Sequence, residues 1–239
     1  VPHFEKMLYD NAQFILLLSK YCKLNSDEYY KNKLTQTIEF LKKNFLNSEG
    51  FLGSAYDADS EGVEGKYYVF NYEEIKKIKN IEDYFKISPE GNWEKKIILI
   101  EKKTPNKEIL KQLLTVRSKK KKPFFDDKTQ LDLNCLWISS LIAANEILPE
   151  KGYLELAEDF FKKIEKKYVN DKIYHSYSKD IVFLEDYAFL INALNDLSEK
   201  TMNFKYKDLA KKIMLEAMGK FYVEDKNIFQ KNSKDNNDV

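Results

Sequence analysis

Four polar clusters in this chain have the residue types and spacing that chemistry needs. The first is the opening run, Val1 to Gln13, which puts a histidine, two carboxylates, a lysine, a tyrosine and two amides within thirteen residues. His3 beside Glu5 suits a general base or acid steered by a neighbour, or a donor to a sugar hydroxyl. The same pair also suits a helix start, where Glu5 meets the positive end of the dipole. In the second cluster Asp57, Asp59 and Glu61 alternate, so an extended segment would point them the same way. Such carboxylates can act as the acid and base of glycoside hydrolysis, or bind their own loop's N–H groups. Their spacing resembles the start of a calcium loop, but the twelfth-position glutamate is missing, and no metal is expected. The third cluster is Asp126, Asp127 and Lys128 with Asn134 two turns on, and the fourth is Glu185, Asp186 and Tyr187 with Asn192 and Asn195. In both, a carboxylate before or within a first turn can cap a helix or face a ligand.

Hydrophobic periodicity sets the frame that must position these groups. A first helix is expected over about 4–23, its polar stripe formed by His3, Lys6, Asp10 and Gln13. A second carries Tyr30, Leu34, Ile38, Leu41 and Phe45. Further helices are expected at about 128–147, 153–168, 184–200 and 204–222. Four of the seven glycines fall between Gly50 and Gly65, marking a loop. Residues 66–122 then read as an α+β insertion. It holds strands at 67–70 and 97–100, a short helix capped by Asn71 with Glu74, and a helix from Thr104-Pro105 to about 121. Connections within helix pairs (24–27, 149–152, 200–203) are short and carry no chemistry. Those between pairs (47–70, 120–128, 169–183) carry or adjoin every motif. Stacked hairpins place such connections at one end, so Asp57, Asp59, Glu61, Asp126, Asp127, Glu185, Asp186 and residues 3–5 are expected to converge.

Composition excludes several classes. The formal charge is +1, and Arg117 is the only arginine among 40 basic residues, which argues against nucleic acid or an anionic membrane as partner. The 119–122 lysine run reads as a solvated helix end. Cys22 and Cys135 form no Cys-x-x-Cys and read as buried free thiols, consistent with the cytoplasm. No apolar run reaches the ~20 residues of a membrane span. No cofactor is expected. His175 lies in a loop and reads as a surface residue.

The opening run resembles a known family, as do Ala-Tyr-Asp-Ala-Asp-Ser-Glu-Gly-Val-Glu-Gly-Lys-Tyr-Tyr-Val at 55–69, Asp126-Asp127-Lys128 with Asn134, and Phe-Leu-Glu-Asp-Tyr-Ala-Phe-Leu-Ile at 183–191. Together and in order they resemble the helical half of the thioredoxin-domain family that includes the spermatogenesis-associated thioredoxin-domain protein and its bacterial relatives. Leu133 departs from it, standing where the family usually has tryptophan. The resemblance implies a mainly α fold, part of an (α/α)6 barrel or six-hairpin toroid, with three antiparallel helix pairs. Residues 1–230 would form that partial domain, with 231–239 a polar tail or fragment end. The first, third and fifth helices would be inner, with a ligand cavity where they begin. The chain is expected to be a fragment, since Val1 replaces an initiator methionine and a family motif begins at once. A thioredoxin-like domain would precede it in the intact protein.

By the resemblance, catalytic candidates are Asp57, Asp59, Glu185, Asp186 and His3. Ligand-binding candidates are Glu5, Lys6, Tyr9, Asp10, Asn11, Asp127, Lys128, Asn134 and Tyr187. The expected ligand is a small polyhydroxylated molecule such as a sugar. Sugar epimerases of this barrel use paired histidines. With His175 set aside this chain offers half a pair at most, so carboxylate acid–base chemistry is the expected form. The alternative is a non-catalytic binding or scaffold domain beside the thioredoxin-like one.

Overall fold

The computed structural model describes residues 2–170, 172–176 and 181–233. Its helices, in chain order, are α1 (Leu8–Leu24), α2 (Glu28–Asn44), α3 (Tyr72–Ile75), α4 (Ile81–Tyr84), α5 (Lys107–Arg117), α6 (Leu131–Asn145), α7 (Tyr153–Tyr168), α8 (Leu184–Thr201) and α9 (Phe204–Phe221). None is long and apolar enough to cross a membrane. The described residues fall into two compact units. One takes residues 2–6 with Tyr56–Asp126, and the other takes Met7–Ala55 with everything after Asp126.

The larger unit holds the six long helices other than α5. α6 is its centre and packs against α1, α7 and α8, while α2 packs on α1 and α9 on α8. The sequence of α6 explains the position. Leu131, Cys135, Leu136, Trp137, Ile138, Leu141 and Ile142 surround the helix rather than forming one stripe, and all are buried. A helix apolar on all sides is stable only when covered on all sides. The outer helices are two-faced instead. α7 buries Tyr153, Ala157, Phe160, Phe161, Ile164 and Tyr168 and turns its lysines and glutamates outward. Gly152, at φ +67°, makes the left-handed junction between the Pro149–Lys151 turn and α7, a conformation that costs other residues 1 kcal/mol or more.

The smaller unit has its own core of Phe70, Ile75, Ile78, Ile81, Phe85, Ile97, Ile109 and Leu113. Two hairpins flank it, Asp59–Ser60 with Val63–Glu64 and Phe85–Lys86 with Ile100–Glu101. The strands expected at 67–70 and 97–100 reduce to one bridge, Phe70 with Ile97. Asn71 and Glu74 form the expected capping box. The helix expected from Thr104-Pro105 starts later, because Asn106 is the residue whose side chain accepts from the Ile109 N–H. It also ends at Arg117 rather than near 121. Lys120 is therefore not a solvated helix end: its ammonium donates to the Val69 carbonyl and pairs with Glu74 at 3.2 Å.

The first helix departs most from expectation. It starts at Leu8, not Phe4, and Lys6–Met7 is extended. Phe4 is buried in the smaller unit, 5.2 Å from the Trp93 ring and 6.1 Å from Tyr68 between centroids. Gly65 admits it, since a Cβ there would lie 2.7 Å from the Phe4 ring. Lys6 donates to the carbonyls of His3 and Phe4, which closes this turn on itself. A polar helical stripe of His3, Lys6, Asp10 and Gln13 therefore does not form. At the other end of the chain, Leu184 N–H donates to the Lys231 carbonyl, Phe183 bridges Asn232, and Ser233 is buried. Residues 231–233 are thus tied to the start of α8, and 234–239 lie outside the described residues.

Candidate functional site

The strongest chemistry in the larger unit lies where α6 and α8 begin. Gln130 is the N-cap of α6, so Asp132 falls in the first turn. Phe183 is the N-cap of α8, so Glu185 and Asp186 fall in its first turn. Between them in space comes His175, from the loop joining α7 to α8. Its carbonyl accepts from Leu131 N–H at 2.8 Å, and its own N–H donates to Ile181 at 3.1 Å. These two backbone bonds fix His175 against the start of α6. The ring is then set edge-on to Phe183, 5.0 Å between centroids.

His175 Nδ1 lies 2.9 Å from Asp186 Oδ1 and 4.0 Å from Asp132 Oδ1. Asp186 is fully buried, and its second oxygen accepts from Phe183 N–H at 2.9 Å. The hydrogen bond that the protonated ring donates to Asp186 raises the His175 pKa against the opposing effect of burial. Burial, reinforced by the charge on Asp186, pushes the Asp132 carboxyl up. Among the described residues, Asp132 Oδ1 and Glu185 Oε2 are buried and hydrogen-bonded to no protein group. One donor atom from each of Asp132, His175 and Asp186 lies within 4.8 Å of the others, close enough to share a cation.

His175 is thus not the surface residue expected from sequence; its side chain is only 17% exposed. Asp132 was not among the candidates. The readable signal for both was local: an acid in the first turn of α6 matching Asp186 in α8, and a histidine eleven residues before that acid. The contact itself, from 132 to 175, is long-range and could not be read.

The other sequence candidates fall as follows. Asp186 and Glu185 belong to this cluster. Asp127 and Lys128 are exposed and precede the helix by several residues, so neither Asp126 nor Asp127 caps it. Asn134 is fully buried, and its amide is engaged with backbone: Oδ1 accepts from Leu52 N–H, while Nδ2 donates to Leu52 and Gln130 carbonyls. Tyr187 is buried, donates to Glu216 at 2.6 Å and accepts from Lys220. On α1, Tyr9 and Asp10 are exposed and Asn11 donates to the Met7 carbonyl. In the smaller unit His3 and Glu5 are exposed, and Lys6 is engaged as described. Asp57 and Asp59 are exposed there too, and Asp57 Oδ1 accepts from Asp59 N–H. Glu61 pairs with Lys66 at 2.7 Å. Cys22 and Cys135 are buried and free.

No protein-family model matches the chain. Spermatogenesis-associated protein 20 of Homo sapiens is 24% identical over 274 aligned residues, covering 88% of this chain and 35% of its own length. An uncharacterized protein of Caenorhabditis elegans is 26% identical over 259, covering 82% and 35%. The chain is thus similar to spermatogenesis-associated protein 20 over most of its own length. It spans about a third of the length of these curated relatives. Among solved structures, a sugar epimerase from a ruminal bacterium matches 99% of this chain and 50% of its own, with a TM-score of 0.62 at 13% identity. Cellobiose 2-epimerase from Spirochaeta thermophila matches 97% and 50%, with a TM-score of 0.57 at 11% identity. These likenesses show the fold: this mainly helical chain is part of an α/α toroid.

Proposed function

We propose that this chain forms part of a sugar-binding toroid, with the adjoining starts of α6 and α8 as its reactive end. One observation carries the reading: Asp132 Oδ1 and Glu185 Oε2 are buried acceptors to which no group among the described residues donates. Desolvated carboxylate oxygens are costly unless something donates to them. A polyhydroxylated molecule supplies hydroxyl donors, and two structural relatives that share the fold are a sugar epimerase and a cellobiose 2-epimerase. Fold likeness raises the expectation without deciding the reaction. Asp57 and Asp59 are retained as a second candidate carboxylate pair, on the smaller unit. In the intact protein a thioredoxin-like domain is the proposed neighbour, and the free, buried cysteines suit the cytoplasm.

A second reading, a non-catalytic scaffold, draws on the engagement of Lys6, Asn11, Asn134 and Tyr187 with other protein groups. One experiment separates the two. Thermal shift in EDTA, over a panel of aldoses, polyols and disaccharides, should find at least one that stabilises the protein saturably, and D132N and E185Q should abolish the shift. If no panel member stabilises the wild type, or both variants respond as it does, the sugar reading fails.

A further inference from the structure

Proton accounting around His175 leads to a different ligand. Ser54 Oγ lies 2.8 Å from the Lys128 carbonyl and 2.9 Å from the Gln130 atom placed as Oε1. A hydroxyl has one proton, and a backbone carbonyl can only accept. With that proton on Lys128, Gln130 must turn its NH2 toward Ser54, which sends its carbonyl toward His175 Nε2 at 3.1 Å. Amide orientation is decided by such networks. His175 then carries its hydrogen on Nε2. The Nδ1 lone pair faces Asp186 Oδ1 across 2.9 Å, two acceptors in contact. Only a cation between them makes that arrangement stable.

A proton is one such cation, but it serves Asp186 alone and leaves Asp132 Oδ1, 4.0 Å away, without a donor. A metal ion serves all three groups. Ligand bonds of about 2.0–2.2 Å put two ligands on one ion roughly 3–3.5 Å apart, between the 2.9 and 4.0 Å found here. We propose that His175, Asp132 and Asp186 bind a divalent transition metal ion, of the zinc or manganese class, through Nδ1 and one oxygen of each carboxylate. The imidazole selects against calcium and magnesium, which prefer all-oxygen sites. The outer contacts suit the role as well. Gln130 accepts from the ring's other N–H, and Phe183 N–H holds the second oxygen of Asp186, the kind of support that orients metal ligands.

This inference does not depend on the sugar reading, and its test contains no sugar. Chelator-stripped protein is titrated with ZnCl2 and with MnCl2 by calorimetry. The expected result is one ion per chain, with affinity lowered about 10- to 100-fold by Q130L and by more in D132N and H175Q. Because Asp132 Oδ1 bonds no group among the described residues, D132N should melt in EDTA no lower than the wild type, which separates lost ligation from lost folding. Failure of both ions to bind at one per chain overturns the proposal. So does binding that D132N and H175Q leave unchanged, which would be surface adsorption.

Discussion

Asp186 and Asn134 are both fully buried polar residues, and both serve as joints. Asp186 accepts from the Phe183 N–H with one oxygen and sets the other 2.9 Å from His175 Nδ1, so it caps α8 and anchors His175 there. D186A removes both acceptors and leaves a buried N–H unpaired. It should cost about 2–4 kcal/mol, read as a lower urea midpoint at unchanged slope. A loss under about 0.5 kcal/mol would mean that the loop is held by other contacts. Asn134 closes a two-way bond with the backbone of Leu52. N134L keeps the volume but strands a buried N–H and a carbonyl, each worth about 1–3 kcal/mol. Its predicted signature is faster hydrogen exchange at Leu52, and unchanged exchange there would refute it. Asn134 also shows what sequence cannot tell. Its motif marked it as important, but its partner lies 82 residues away, so a joint and a ligand contact looked alike. His175 failed the opposite way: no motif marked it, and only the fold brings it to two carboxylates.

At the scale of elements, local chemistry was legible wherever it decided the outcome. α7 spans the expected residues because a Pro-Gly turn starts it and an unbroken apolar stripe sustains it. The Asn71–Glu74 capping box was readable from four residues. The start of α1 was not, because burial of Phe4 beside Trp93 and Tyr68 outweighs the helical propensity of residues 4–7. The start of α5 was misread because both Thr104 and Asn106 can cap, and only packing chooses. The capping box makes a pH prediction. Burial pushes the Glu74 carboxyl up, but the bonds from Asn71 N–H and Lys120 outweigh it, so its folded pKa is lowered. A lowered carboxylate pKa contributes stability above the unfolded value, near 4.3, and loses it as pH falls through the folded value. E74Q should therefore speed exchange of the Asn71 amide at pH 7 by roughly 5-fold, about 1 kcal/mol for a partly exposed pair. The difference should shrink below about pH 4. A ratio that stays constant down to pH 3 would show that charge plays no part.

At the scale of the whole molecule, two flanks of the larger unit carry apolar side chains that nothing among the described residues covers. On α1, Leu17 is 61% and Leu24 85% exposed, with Phe14 beside them. On α9, Leu215 is 66% exposed, with Met214 and Met218 on the neighbouring turn. Ile213 and Phe221 recur at helical spacing on α9 but are buried, because α9 turns this face to α8 and presents the adjoining one outward. Which of two weakly apolar faces meets α8 is a packing choice, and the spacing alone does not encode it. The match takes up half of each structural relative's own chain. Contiguous apolar rows of this kind drive association when left in water. These 239 residues, expressed alone, should accordingly self-associate, with a weight-average mass by light scattering that rises with concentration from about 5 to 200 μM. The double variant M214K/L215K should lower that association without lowering the melting temperature, since these are the more exposed of the three, at 45% and 66%. A protein that stays monomeric across the range would mean that the two flanks are tolerated in water, as would a double variant that associates as the wild type does.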